Sequence, residues 1–284
     1  MNNMQSTSLA QTPGLLACRA ANVIFLRRMT DSRPAPKLVL LHGIGSNAQS
    51  FSALMQTLPL FVDVIAWNAP GYADSDALTI ASPQPRDYAA VLAQLLDALE
   101  LPSVVLAGHS LGALFAASFA ANHPDRISAL ALISPALGYR VKPGMQLPPA
   151  VQERIDEIRN VGPRAFSVKR APRLVHDAEH RAQVVAAVEE AMCSVHTEGY
   201  SQACRALGAG DLVADAARIR TPALVAVVAQ DVITPPSNAR RAHQAFAGRC
   251  VYREIESAGH ALPQEFPQTV ADLLAELVER HAHG

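Results

Sequence analysis

Three features of the 284-residue sequence predict an α/β protein: a mostly parallel, twisted sheet with helices on both faces and a block of helices inserted late in the chain. Apolar runs of strand length alternate with longer stretches whose apolar residues fall at i, i+3, i+4 and i+7, the rhythm of strand–helix–strand crossovers. That rhythm lapses between about Tyr139 and Gly210 and then resumes. Several apolar runs end directly in loops that hold glycines or reactive side chains, as in an open parallel sheet that gathers its site beyond the carboxyl ends of its strands.

In chain order, residues 1–13 are polar and read as a loose terminus. Leu15–Ala20 and Val23–Arg28 read as an edge hairpin, closed by Ala21–Asn22 and followed by a break over Ser32–Pro36. Lys37–Leu41 is a buried strand, Phe51, Leu54 and Leu58 mark a helix, and Val62–Trp67 is a further strand. Tyr88, Val91, Leu92, Leu95, Leu96 and Leu99 lie along one helix face that stops before Pro102. Ser103–Ala107 and Ile127–Ile133 read as strands on either side of an alanine-rich helix, Ala113–Ala121. The strandless stretch contains amphipathic segments such as Val151–Ile158 and Val184–Met192, separated by joints at Pro148–Pro149, Gly162–Pro163, Pro172 and Gly199. Strands return at Pro222–Val228 and Val251–Ile255, and a last helix carries Phe266, Val270, Leu273 and Leu277 on one face.

Half of the residues are hydrophobic, 17% are charged and the formal net charge is −1, a balance that disfavours a nucleic-acid partner or electrostatic membrane attachment. No apolar run reaches the roughly 18 residues needed to span a bilayer. Leu15-Leu16-Ala17-Cys18 superficially resembles a lipoprotein cleavage site, but the polar residues before it lack lysine and arginine, so a cytoplasmic protein is expected. Cys18, Cys193, Cys204 and Cys250 are scattered without metal-site spacing. They read as free thiols, with a Cys193–Cys204 disulfide left open, and neither metal nor cofactor is expected. The sequence also leaves a homodimer open.

The stretch richest in chemistry is Gly108-His109-Ser110-Leu111-Gly112, between a strand and a helix. A serine at such a turn is held in a backbone conformation for which only small neighbours leave room, and the helix after it aims unpaired N–H groups at the same spot. A serine hydroxyl needs a base, and the base a carboxylate that fixes its tautomer. His260, in Ala258-Gly259-His260 after the last strand, and Asp231, after Pro222–Val228, are the candidates, in the order Ser110, Asp231, His260. Asp231 could instead cap the helix following Pro235-Pro236. Asp211 and Asp215 are rivals that precede their strand and so sit on the wrong side of the sheet. The amides of Leu111 and Ile44, the latter in the turn His42-Gly43-Ile44-Gly45, are the candidate oxyanion donors. His42 reads as a scaffold for that turn.

On these motifs, with Gln230-Asp231-Val232-Ile233-Thr234-Pro235 as acid loop, the chain resembles the α/β-hydrolase fold superfamily, specifically its cap-bearing serine hydrolases. The likeness runs from about Leu15 to about Val278. It implies a core of residues 1–138 and 211–284, with a helical cap, 139–210, inserted after the strand ending near Ile133. It implies hydrolysis of a small-molecule carboxylic ester or lactone through an acyl-enzyme, with 3-oxoadipate enol-lactonase as the relative whose loops look most similar. Carbon–carbon bond hydrolases of meta-cleavage products are a neighbouring alternative, and a hydrolase-like ligand receptor with slow turnover is one of another class. Asn68 departs from the aspartate often found before the Pro-Gly turn, which would alter loop anchoring. Leu147, Val151, Ile155, Phe166 and Met192 are candidates for the pocket lining, and Arg164 or Arg170 for contact with a substrate carboxylate.

Overall fold

The computed structural model describes residues 14–31 and 34–281. The loose terminus expected over residues 1–13, and Ser32 and Arg33 of the expected break, lie outside them. The strands are β1 (Leu16–Ala20), β2 (Val23–Arg28), β3 (Lys37–Leu41), β4 (Asp63–Trp67), β5 (Val104–His109), β6 (Ile127–Ile133), β7 (Ala223–Val228) and β8 (Cys250–Ile255). They form one sheet in the order β1-β2-β4-β3-β5-β6-β7-β8. The pairs β1–β2 and β2–β4 are antiparallel, and all later pairings are parallel.

Alternate residues of the central strands enter different cores, as a two-residue period requires. Val39, Leu41, Val104 and Leu106 face one cluster together with Tyr88, Leu92 and Phe115. Leu38, Leu40, Val105 and Ala107 face the other, with Leu54, Val270 and Leu274. The helices on these faces are α1 (Ser52–Thr57), α2 (Pro85–Ala98) and α3 (Leu111–Asn122) in the first half of the chain. Every residue of α3 from Leu111 to Ala120 is buried, which explains why it is apolar all round. At the end of α1 the buried Arg28 guanidinium donates to the Leu58, Pro59 and Val62 carbonyls at 2.7–3.1 Å, and also to that of Met55. These include carbonyls that a helix end leaves without partners.

Between β6 and β7 the chain is helical: α4 (Pro149–Arg170), α5 (Ala182–Cys193), α6 (Thr197–Ala209) and α7 (Leu212–Ala216). After β7 come α8 (Pro236–Ala245), α9 (Leu262–Glu265) and α10 (Pro267–His281). No helix among the described residues is long and apolar enough to cross a membrane.

Several sequence expectations need correction. The strand before the serine runs through Gly108 to His109, and α3 begins at Leu111, so one residue makes the turn. Gly199 is not a joint but lies in the first turn of α6, where its missing side chain lets the helix touch the Gly71 backbone. Phe266 precedes α10, whose buried face is Val270, Ala271, Leu274, Leu277 and Val278, with Leu273 only partly covered. The Gly162–Pro163 joint is present as expected: Gly162, at φ 76° and ψ 163°, leaves the helical conformation and divides α4 into two helical segments. The reading of the four cysteines as free thiols holds: Cys18, Cys193, Cys204 and Cys250 are all unpaired, so the Cys193–Cys204 disulfide left open is not formed.

Candidate active site

The parallel strands change direction of succession between β3 and β5, which are neighbours in the sheet although β4 lies between them in sequence. Open α/β sheets place their sites at such a switch point, beyond the strand ends. The loops after β3 and β5 carry Gly43-Ile44 and Ser110. Ser110 has φ 55° and ψ −115°, a strained conformation for a residue with a side chain. Its flanking glycines explain how the turn can be so tight. A Cβ on Gly108 would stand 2.3 Å from the Gly112 carbonyl oxygen, and one on Gly112 would stand 2.1 Å from that of Leu41. Strand and helix therefore meet backbone to backbone.

Ser110 is 4% exposed, and its Oγ donates to His260 Nε2 at 2.9 Å. His260 Nδ1–H in turn donates to Asp231 Oδ2 at 2.8 Å. Side chains far apart in sequence thus form one hydrogen-bonded row. Burial alone would raise the Asp231 pKa, but the neighbouring His260 and the Thr234 and Ile233 amides hold it down to about 2. Those amides bind Oδ1 at 2.9 and 2.8 Å, so the aspartate organises its own turn and also meets the imidazole. The capping alternative is not realised: α8 begins after Pro235 without a side-chain cap, and Asp231 closes a turn ahead of it.

The loop after β3 lies directly against the serine: a Cβ on Gly43 would be 3.0 Å from Ser110 Cβ. Leu111, as the first residue of α3, has an N–H without an intrahelical partner. His42 is buried beneath this loop, its Nδ1 meeting the Gly43 carbonyl at 2.8 Å and its Nε2 accepting from the Ala69 N–H at 3.0 Å. Burial lowers its pKa to about 4, so the ring is neutral and structural. Asn68 Oδ1 accepts from the Ala48 N–H at 2.8 Å, tying the loop after β4 to the loop after β3.

Three contributors escaped the sequence reading. His109 is buried, with its pKa lowered to about 3 by burial and then by the charge of His260, and its Nε2–H donates to the His260 carbonyl at 2.8 Å. Thr234 Oγ1 sits 2.9 Å from Asp231 Oδ2 and 3.3 Å from His260 Nδ1; the Asp-x-x-Thr spacing of a local turn was a readable signal for it. Glu265, buried in α9, binds the Gly259 amide at 2.8 Å, the His176 amide at 3.0 Å and Arg181 at 2.8 Å. One carboxylate thus fastens the helical insertion to the loop that holds His260, and nothing local in the sequence marks it.

The remaining candidates lie elsewhere. Asp211 caps α7 through the Ala214 amide, and Asp215 lies beside Arg218. Val151, Ile155 and Phe166 are packed in the core, and Leu147 lines a separate surface groove. Met192 and Arg170 do line a cavity that includes His260, along with Ile44, Leu174, Tyr200 and Ile233, whereas Arg164 is exposed outside it. A second, more apolar cavity beside His260 is lined by Phe51, Val188 and Ala191 and shares Ile44 and Leu174 with the first. No group of three or more histidine, cysteine or acidic residues able to hold a metal occurs among the described residues.

A serine strained at a strand-to-helix turn, in line with a histidine and an aspartate over the switch point of this sheet, defines the class of the α/β hydrolases. Within that class, the chain belongs to the family described as serine aminopeptidase, S33, which it matches over residues 32–266. It is 27% identical over 249 residues to (E)-2-((N-methylformamido)methylene)succinate hydrolase of Acinetobacter baylyi, covering 85% of this chain and 90% of that one. It is 28% identical over 251 residues to the pimeloyl-[acyl-carrier protein] methyl ester esterase of Chromobacterium violaceum, covering 87% and 96%. In structure it resembles the enol-lactonase from Burkholderia xenovorans LB400, with a TM-score of 0.80, 24% identity and coverage of 90% and 97%, a likeness of fold.

Proposed function

We propose that this hydrolase cleaves a small carboxylic ester or lactone through an acyl-enzyme, with Ser110 as nucleophile, His260 as general base and Asp231 as its orienting carboxylate. The observation that carries the reading is the unbroken row from Asp231 Oδ2 through His260 to Ser110 Oγ, at 2.8 and 2.9 Å. As Ser110 Oγ bonds to the carbonyl carbon, its proton passes to His260 Nε2, and the Ile44 and Leu111 amides hold the oxyanion. Collapse expels the alkoxide, which takes that proton. Water, activated by the same imidazole, then releases the acid and restores Ser110. Asp231 keeps the Nδ1–H tautomer and stabilises the transient imidazolium. The two cavities beside His260 would take the two sides of the scissile bond, under a cap formed by residues 139–210.

The named relatives, a methyl ester esterase and a succinate-derivative hydrolase, support a carbonyl substrate. The test is a panel of esters, lactones and meta-cleavage dienones given to the purified protein and to Ser110→Ala. Multiple turnovers on an ester or lactone are expected, falling at least about 10³-fold in the variant, with fluorophosphonate labelling lost. Turnover confined to dienones would favour carbon–carbon cleavage. A single slow turnover with retained product would favour a receptor.

A further inference from the structure

We propose that the cavity facing His260 contains an anion subsite, formed by Arg154 and Arg173 with Arg170, and that the substrate is an ester or lactone bearing a free carboxylate. The inference rests on the hydrolase reading above and specifies its substrate class.

All three arginines line the cavity that reaches His260 and Ile44, and no acidic residue lines it. The protein as a whole has a formal net charge of −1, so this cluster does not reflect a generally basic chain. Arg170 is already engaged: its Nε donates to Glu157 at 2.9 Å and its guanidinium lies 4.6 Å from the Phe166 ring centroid. That clamp fixes it as one wall of the cavity. Among the described residues no carboxylate pairs with Arg154 or Arg173. Arg154 is half-buried beside the Tyr200 hydroxyl, a partner that burial keeps neutral, so its charge is not cancelled. Arg173 is exposed at the rim.

Guanidinium groups present paired N–H donors whose spacing matches a carboxylate, and a concave, partly dry wall of one sign focuses its field on an entering anion. The cluster also bears on catalysis. Positive charges beside His260 oppose the imidazolium that forms during acyl transfer, and a carboxylate from the substrate would cancel them at that step. A substrate that enters as a cation, such as the free amino group of a peptide, would instead be repelled.

The test compares monomethyl half esters of four- to eight-carbon dicarboxylic acids with methyl esters of monocarboxylic acids of equal length, following methanol release. The wild type is expected to favour the best half ester by about tenfold or more in kcat/KM. In Arg154→Gln/Arg173→Gln that ratio should fall towards one, mainly through KM, and Arg154→Lys/Arg173→Lys should restore it in part. No preference in the wild type, a preference that survives the glutamine pair, or a greater preference for a matched ester ending in ammonium or phosphonate would overturn the assignment. Calorimetry on Ser110→Ala separates this proposal from the reading it rests on. Half-ester binding that vanishes with the arginine pair supports the subsite whatever the turnover, and binding indifferent to the arginines overturns it. Binding by a wild type that cleaves no ester would overturn the ester reading alone.

Discussion

Asp231 divides its labour between two oxygens. Oδ1 takes the Ile233 and Thr234 amides, and Oδ2 takes His260 Nδ1–H. Asp231→Asn would retain an oxygen for the amides but turn an NH₂ towards the imidazole, favouring the opposite tautomer. We expect kcat to fall by about 10⁴-fold, as for the equivalent change in serine proteases. The melting temperature should move little in comparison, and a parallel collapse of both would show that the residue is chiefly structural. The residue scale is also where the sequence was most and least informative. Ser110 was legible because its turn is dictated by immediate neighbours. His109 was not, because its partner is a backbone carbonyl 151 residues away. Arg154 and Arg173 were equally hidden, since which arginine faces a cavity depends on how the inserted helices fold back over the sheet.

Legibility at the scale of elements follows burial. β3, β4 and β5 are covered on both faces and show as uninterrupted apolar runs. α6 is poorly legible in the sequence because Gly199, Ser201, Ala203, Ala206 and Gly208, buried through small size, blur the helical period. Gly199 offers a clean test. Alanine is favoured over glycine within a helix by about 1 kcal/mol. Here, however, its Cβ would stand 1.9 Å from the Gly71 carbonyl oxygen, a backbone atom that cannot step aside alone. Gly199→Ala should therefore lower stability by about 1–3 kcal/mol, read as a lower urea midpoint at unchanged slope. A gain in midpoint would mean that the helix and the loop can part without loss.

The whole molecule should lose stability in weakly acidic solution because it buries neutral imidazoles. His42 and His109 have folded pKa values of about 4 and about 3, both below the ordinary 6.5. Unfolded chains therefore take up protons that the folded protein refuses. The contribution is complete above pH 6.5, declines as the pH falls, and is spent near pH 4 for His42 and pH 3 for His109. Every tenfold difference in proton affinity between the folded and unfolded chain corresponds to about 1.4 kcal/mol. Thermal melts from pH 7 to pH 4 should show a falling midpoint, with a shallower slope in His109→Gln; an unchanged slope would remove His109 from the account.

Glu265 has a consequence for any exchange of the segment between β6 and β7. Because its carboxylate holds Gly259 with one oxygen and His176 and Arg181 with the other, the segment between β6 and β7 and the loop bearing His260 share a fastening. A chimaera that exchanges the insertion for another enzyme's, without a substitute for those donors, would strand an anion in the interior and slacken the loop that aims His260. Substitutions of side chains on the resident helices would leave that shared fastening intact, whereas a transplanted segment would have to rebuild it.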